Sequence, residues 1–391
     1  MAWAGAYALL ATVAALVFAG AILFGPYRAV ERSDYMTYHV AARIVLDGRG
    51  ACLYEERCQA DAQRALIGEE PSFANGALPF NSPPWFAALV APLGALSLPV
   101  GFALFTLLGV AVLAWGAWRA GRHAGLEISW AGLSVLLLLT AWPTVMAVIR
   151  GQSTLLVVGL LGLSVGTATY RSGLALGLSL LKPTLPPLWG AWQLLGSHWR
   201  AIGTAVAVGL ALLGLAAAVV SPEAIAAYPG HLFGVAGGDA LGVYPAEMVN
   251  WRGAAERLHA GSWLVIGGSL ATLAIVALTW ARSSSRHLGA AAAFLATPLV
   301  LPHANQHEFV LATLGILLAV AVAAVPERRR RLATLAIGLH PIVWGGVALD
   351  AQAAAWLLFA VQLGWLLIAL WMSGARVQRQ GVVPLPTASG E

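Results

Sequence analysis

The chain alternates long apolar blocks with short polar joints. The blocks occupy 3–25, 85–117, 129–148, 154–169, 173–196, 201–220, 262–281, 288–301, 309–325, 332–348 and 353–373. A helix of about 20 apolar residues spans the hydrocarbon core of a bilayer, and a helix apolar on nearly all sides belongs inside a membrane or a deep core. Two long polar stretches, 27–84 and 221–261, interrupt the pattern. The pattern predicts an all-α polytopic membrane protein with about ten to twelve transmembrane helices. The first block has no basic n-region and exceeds the length of a signal-peptide h-region, so it is expected as a retained helix. No internal repeat and no inverted symmetry of the two halves, as many transporters show, is visible.

One block does not fit a single crossing. Arg171 and Arg200 flank 173–196, and arginines between apolar blocks mark cytoplasmic loops. A single crossing there would place every later arginine cluster outside. Lys182, Pro183, Pro186 and Pro187 lie near its middle. Proline breaks a helix, and broken helices at membrane depth are tolerated where they line a cavity. Two short helices, about 173–181 and 185–197, are therefore expected to form a hairpin that returns to the cytoplasmic side. Both termini are then cytoplasmic. The expected organisation is one transmembrane domain over 1–373, with 27–84 and 221–261 as the first and second outer loops. A cytoplasmic, disordered tail at 374–391 follows.

Composition agrees. Of 391 residues, 59% are apolar and only 10% charged, against about 25% charged in soluble domains. The net charge of +5 sits in the arginine clusters between blocks, which assigns it to topology and argues against nucleic acid as a partner. The two cysteines, Cys52 and Cys58, both fall in the first outer loop. A disulfide suits an extracytoplasmic loop, a free pair is the alternative, and spacing does not choose between them.

Several polar residues carry candidate chemistry. Asp34, just after the first block, reads either as a general base at the outer face or as a helix N-cap. Tyr38, Ala41, Arg43 and Leu46 have helical spacing, ended by Gly48, and predict an amphipathic helix along the membrane surface. Arg43 suits a phosphate or a solvated face. Arg150-Gly151-Gln152-Ser153 is an outward-facing turn whose Gln152 is either a ligand contact or plain turn. Lys182 is an ionisable residue within a membrane segment, a functional candidate by default, with snorkelling to a headgroup as the alternative. His303, His307 and Glu308 form the densest polar cluster of the helical half, suited to holding a phosphate or moving protons. Their order matches no established zinc signature, so no metal is expected. Asn250 and Arg252, near the end of the second outer loop, offer an anion contact or a headgroup contact. No soluble nucleotide-binding or hydrolase motif is present.

Taken in order, these pieces resemble glycosyltransferase family 87. The opening pattern of that family is met by Asp34, Tyr38, Ala41, Leu46, Gly48, Leu53 and Tyr54. Its Phe-x-x-Pro-Pro lead into the second helix is met by Phe80, Pro83 and Pro84, with Pro92-Leu93 after it. Gly151-Gln152 meets its Gly-Gln turn, Gly173, Gly177 and Lys182 its glycine–lysine segment, and Pro302 with His307 its late Pro-x-x-x-x-His segment. The chain departs from the pattern at Glu308, where a second histidine is usual, at Asn305, and at Asn250-Trp251-Arg252.

The resemblance implies a GT-C fold and an inverting transfer of a sugar, mannose by family default. The donor would be a polyprenyl-phosphate sugar, the acceptor a lipid or glycan, and the place the outer face of a bacterial inner membrane. It implies Asp34 as general base and no cofactor. Contacts to donor phosphate or sugar fall to His307, Lys182, Arg43, Tyr38, Gln152, Arg252, Asn250 and His303. A transporter or flippase of a lipid-linked sugar is the alternative.

Overall fold

A computed structural model describes residues 2–24, 29–68, 77–166, 168–237, 244–283, 285–323 and 325–380. No strand occurs among them. The chain opens with α1 (Ala2–Leu23), and the first polar stretch folds into α2 (Asp34–Leu46) and α3 (Glu56–Ile67) before α4 (Pro84–Val90). Then come α5 (Leu98–His123), α6 (Ile128–Thr140), α7 (Trp142–Arg150) and α8 (Thr154–Ser164). The proline-rich block forms α9 (Tyr170–Leu178) and α10 (Pro187–Leu195), and α11 (Trp199–Val219) follows. The second polar stretch holds α12 (Pro222–Gly237) and α13 (Trp251–Arg257). The bundle closes with α14 (Ser262–Arg282), α15 (Arg286–Val300), α16 (Phe309–Ala321), α17 (Pro326–Leu349) and α18 (Ala351–Gln380).

Among the described residues, six helices are long and apolar enough to cross a membrane: α1, α5, α11, α14, α17 and α18. The pair α6–α7, bent by 56°, makes a seventh if counted as one span. The other apolar blocks form shorter helices, α8, α9, α10, α15 and α16, of which α8, α15 and α16 are mostly buried by their neighbours. Every residue from Leu288 to Leu299 in α15 is buried. A helix wrapped by protein has no bilayer thickness to match. Apolar composition alone does not separate it from a lipid-facing span.

Two blocks read as continuous are broken. The block 85–117 is split by a 3₁₀ turn at Ala91–Ala95, where Gly94 lies against the backbone of Ala42 and Arg43 in α2. The block 129–148 bends at Ala141, just before Pro143. Carbonyls freed by that bend are taken by side chains: Thr144 Oγ1 donates to Leu138 O (2.6 Å) and Trp344 Nε1 to Thr140 O (3.1 Å). In apolar surroundings such groups have no water to turn to.

The proline-rich block is a hairpin. Its two arms meet at one end of the bundle, where the Arg286 guanidinium donates to Val165 O (2.7 Å), Ser164 O (3.1 Å) and Ser172 Oγ (3.3 Å) and lies near His198. At its tip, Trp85 Nε1 donates to Leu180 O (2.8 Å). The same end as Arg286 holds His123 beside Gly166 and Arg328 over Trp371. The arginine clusters thus share one end of the bundle, and Asp34, Gln152, Lys182 and His307 gather towards the other.

The helix over 34–46 exists, but it does not lie on a surface. All its residues from Tyr35 to Val45 are buried except Arg43, because α3, α4 and the 91–95 turn wrap it. Cys52 and Cys58 are joined by a disulfide, with Cα atoms 6.0 Å apart. The last helix continues past 374 to Gln380, so the expected tail begins inside a helix. Residues 381–391 lie outside the described residues.

Close backbone approach holds α5 to α8. A Cβ at Gly159 would strike the Val112 backbone, and one at Gly116 would strike Gly159. Small residues at such contacts let helices pack closely in membranes. Gly159→Val should therefore cost at least about 1–3 kcal/mol and abolish the monodisperse peak in detergent size-exclusion chromatography. Gly190→Ala, where nothing lies within 4 Å of the new methyl, should leave that peak unchanged.

Candidate active site

The turn between α7 and α8 organises the polar end. Gly151 has φ +60°, the left-handed conformation that favours glycine. Gly151 N donates to Val148 O (3.0 Å) and Gln152 N to Ala147 O (2.8 Å), the paired bonds of a Schellman cap. A Cβ at Gly151 would also strike the Tyr35 side chain. The turn therefore delivers Gln152, Ser153 and Thr154 consecutively to the space above the hairpin tip.

Gln152 faces Asp34. Its Nε2 donates to Asp34 Oδ2 at 2.5 Å. Tyr38, one helical turn after Asp34, donates its hydroxyl to Gln152 Oε1 at 3.3 Å and lies 3.5 Å from Ser153 Oγ. Burial, with the Asp34 charge beside it, pushes the Tyr38 phenol above its ordinary range, so Tyr38 is a neutral donor at pH 7. Asp34 is not an N-cap. Ser33 holds that position without a side-chain capping bond, and the Asp34 carboxylate, half-buried, is turned to Gln152 instead.

Thr154 continues the chain of contacts to Lys182, whose Nζ donates to Thr154 Oγ1 (2.8 Å) and to Glu308 Oε1 (2.5 Å). His307 Nε2 lies 2.9 Å from the same Glu308 oxygen. Glu308 Oε2 accepts Asn305 N at 2.8 Å. The Glu308 side chain is only 4% exposed, so both oxygens are spent on partners. Burial alone would raise its pKa, but the His307 and Lys182 charges outweigh burial and hold the carboxyl well below the usual range. Lys182 remains 21% exposed, which leaves its ammonium within reach of a ligand.

Of the other expected residues, His303 joins the rim. Its Nε2 lies 3.2 Å from Asn305 Nδ2. Burial lowers its basicity, with Glu308 opposing. Arg252 stands beside it, donating to Pro302 O at 3.4 Å. Two expected residues are placed elsewhere. Asn250 is fully buried and structural: its Oδ1 accepts Gly253 N (2.8 Å) as the cap of α13, and its Nδ2 donates to Leu301 O (2.7 Å). Arg43 follows Asp34 by nine residues, which at 3.6 residues per turn places it on the opposite side of α2. Glu308, absent from the expected contacts, is the hub of the cluster, and Thr154 is its link to the turn. The signal for Glu308 was the acid standing where the family pattern carries a second histidine. Among the described residues, no group of three or more His, Cys, Asp or Glu could hold a metal ion.

The model of glycosyltransferase family 87 matches residues 80–302, more than half of the chain. The chain belongs to glycosyltransferase family 87. No curated protein matches, and no solved structure matches. The matched region contains the Gly151-Gln152 turn, the hairpin with Lys182, and Asn250-Trp251-Arg252. Asp34 and Tyr38 precede it, while His303, His307 and Glu308 follow it. This family 87 glycosyltransferase thus builds its polar cluster from both sides of the matched region, and the fold closes them around the turn at 151–154.

Removing the buried carboxylate while keeping its shape tests the hub. Glu308→Gln leaves Lys182 and His307 without their counter-charge and should lower stability by about 3 kcal/mol, read as a fall in melting temperature in detergent. A carboxyl whose pKa is depressed by folding contributes fully above its ordinary value of 4.5 and progressively less below it. Glu308's own contribution to the gap between wild type and Glu308→Gln should thus narrow only below pH 4.5.

Proposed function

We propose that the chain is an inverting glycosyltransferase that moves a sugar, mannose as the family default, from a polyprenyl-phosphate donor to a lipid or glycan acceptor. The reaction would take place at the outer, periplasmic face of a bacterial inner membrane. The observation that carries this reading is the shared turn at 152–154. It brings the Asp34 carboxylate and the Lys182–His307 cluster to adjacent places in one polar end, opposite the arginine clusters, and such clusters favour the cytoplasmic side.

Asp34 is the general base. It takes the proton of the acceptor hydroxyl as that oxygen forms its bond to the anomeric carbon. The bond from the anomeric carbon to the phosphate oxygen breaks on the opposite face, and its electron pair leaves with the lipid phosphate, giving inversion. Gln152 orients the base through its 2.5 Å bond to Oδ2, and Tyr38 orients Gln152. The departing phosphate needs positive or hydrogen-bonding partners where charge develops. Lys182 and His307 fill that role, held in place by Glu308, with His303 and Arg252 at the rim. Phosphate is already a good leaving group, so no protein acid is required.

The test is transfer of radiolabelled sugar from polyprenyl-phosphate-mannose into membrane lipids or glycans at matched expression. A positioned base contributes about 10²–10⁴-fold, so Asp34→Asn should lose transfer by about that factor with its size-exclusion profile unchanged. Gln152→Ala should lower kcat more than it raises KM, because it frees the base without touching the phosphate. Wild-type transfer that persists undiminished in Asp34→Asn would remove Asp34 from the mechanism.

A further inference from the structure

The side of α2 turned away from Asp34 borders a groove of about 520 Å³, lined by Leu23, Leu66, Leu96, Pro99, His39 and Arg43. Two polar groups face it without protein partners. Arg43 is exposed, and among the described residues its side chain has no hydrogen bond or ion pair. His39 is wholly buried, yet neither ring nitrogen has a hydrogen-bonding partner. Buried polar atoms are normally paired, and two orphaned nitrogens beside an open groove mark a place where a ligand completes the set. Burial, then the Arg43 charge, lowers the His39 pKa to about 4. At pH 7 the ring is therefore neutral, with one N–H donor and one acceptor.

The groove is also continuous with apolar surface. Val100, Leu104 and Leu107 of α5 are exposed along one helical face, directly after the groove residues Leu96 and Pro99. On the other side, Leu23 ends α1, which exposes Leu9, Val13 and Leu16. An arginine at the head of an apolar track fits a ligand with a phosphate at one end and hydrocarbon at the other. Glu31 lines the groove as well.

We propose that this groove binds one membrane phospholipid, its phosphate held by Arg43 and His39 and its acyl chain laid along Val100, Leu104 and Leu107. The site lies half a helical turn from the face that carries Asp34 and Tyr38. It requires only that the chain sits in a membrane and stands whether or not the proposed reaction is correct.

Native mass spectrometry of the full chain in a phosphate-free maltoside detergent, titrated with short-chain phosphatidylethanolamine, tests it. Wild type should retain one phospholipid per chain. Losing one charge-assisted contact weakens binding about tenfold, so Arg43→Gln should show that shift, with Arg43→Lys between the two. Ala95→Trp, which fills the groove from an exposed position, should retain none. Both positions are exposed, so the size-exclusion profile should stay that of wild type and serve as the folding control. Equal retention by wild type, Arg43→Gln and Ala95→Trp would overturn the proposal. So would a melting-temperature rise with inorganic phosphate as large as with the phospholipid, because the site would then read a free anion.

Discussion

A lysine at the tip of a broken helix inside an apolar bundle has to find a counter-charge, and in this chain Glu308 supplies it. One oxygen meets Lys182 and His307, and the other takes Asn305 N. The contact ties the tip of the α9–α10 hairpin to the loop before α16, two segments remote in the sequence. Thr154 extends the tie to the start of α8. The hairpin is clamped at its base by Arg286, a half-buried cation shared among backbone carbonyls. Charged groups inside apolar surroundings are costly unless paired. The hairpin is thereby held at both ends, and its tip is fixed relative to the turn that carries Gln152.

That turn joins the two halves of the polar end. Its left-handed glycine packs against Tyr35 and lets α7 stop beside α2. Gln152 then reaches Asp34, and Thr154 two residues on reaches Lys182. The Asp34 carboxylate and the Lys182–Glu308–His307 cluster thereby come within one short segment of each other. The second outer loop contributes less than its polar residues suggest. Asn250 spends both ends of its amide on backbone, capping α13 and fastening it to Leu301.

The helix α2 shows how one element serves two surroundings. Asp34 and Tyr38 stand on the side of Gln152, while His39 and Arg43 face the groove beneath α1 and the α4–α5 corner. The helix is buried almost all round, so its few polar residues are sorted by angle rather than by depth.

The blocks of apolar residues, the arginine clusters between them and the prolines beside Lys182 were sufficient to establish a helical membrane protein and the returning hairpin. Each follows from short-range physics: backbone groups in lipid must pair within the segment, and proline lacks a donor. Asp34, Gln152, Lys182 and His307 were legible through the order of their motifs. Which apolar blocks form long continuous helices was not legible, because an apolar helix enclosed by protein has the same composition as one facing lipid. The burial of α2, the structural use of Asn250, the displacement of Arg43 and the central place of Glu308 were decided only by tertiary structure. Each depends on which atoms of distant segments meet, and a buried carboxylate shows its role only when its partners stand around it.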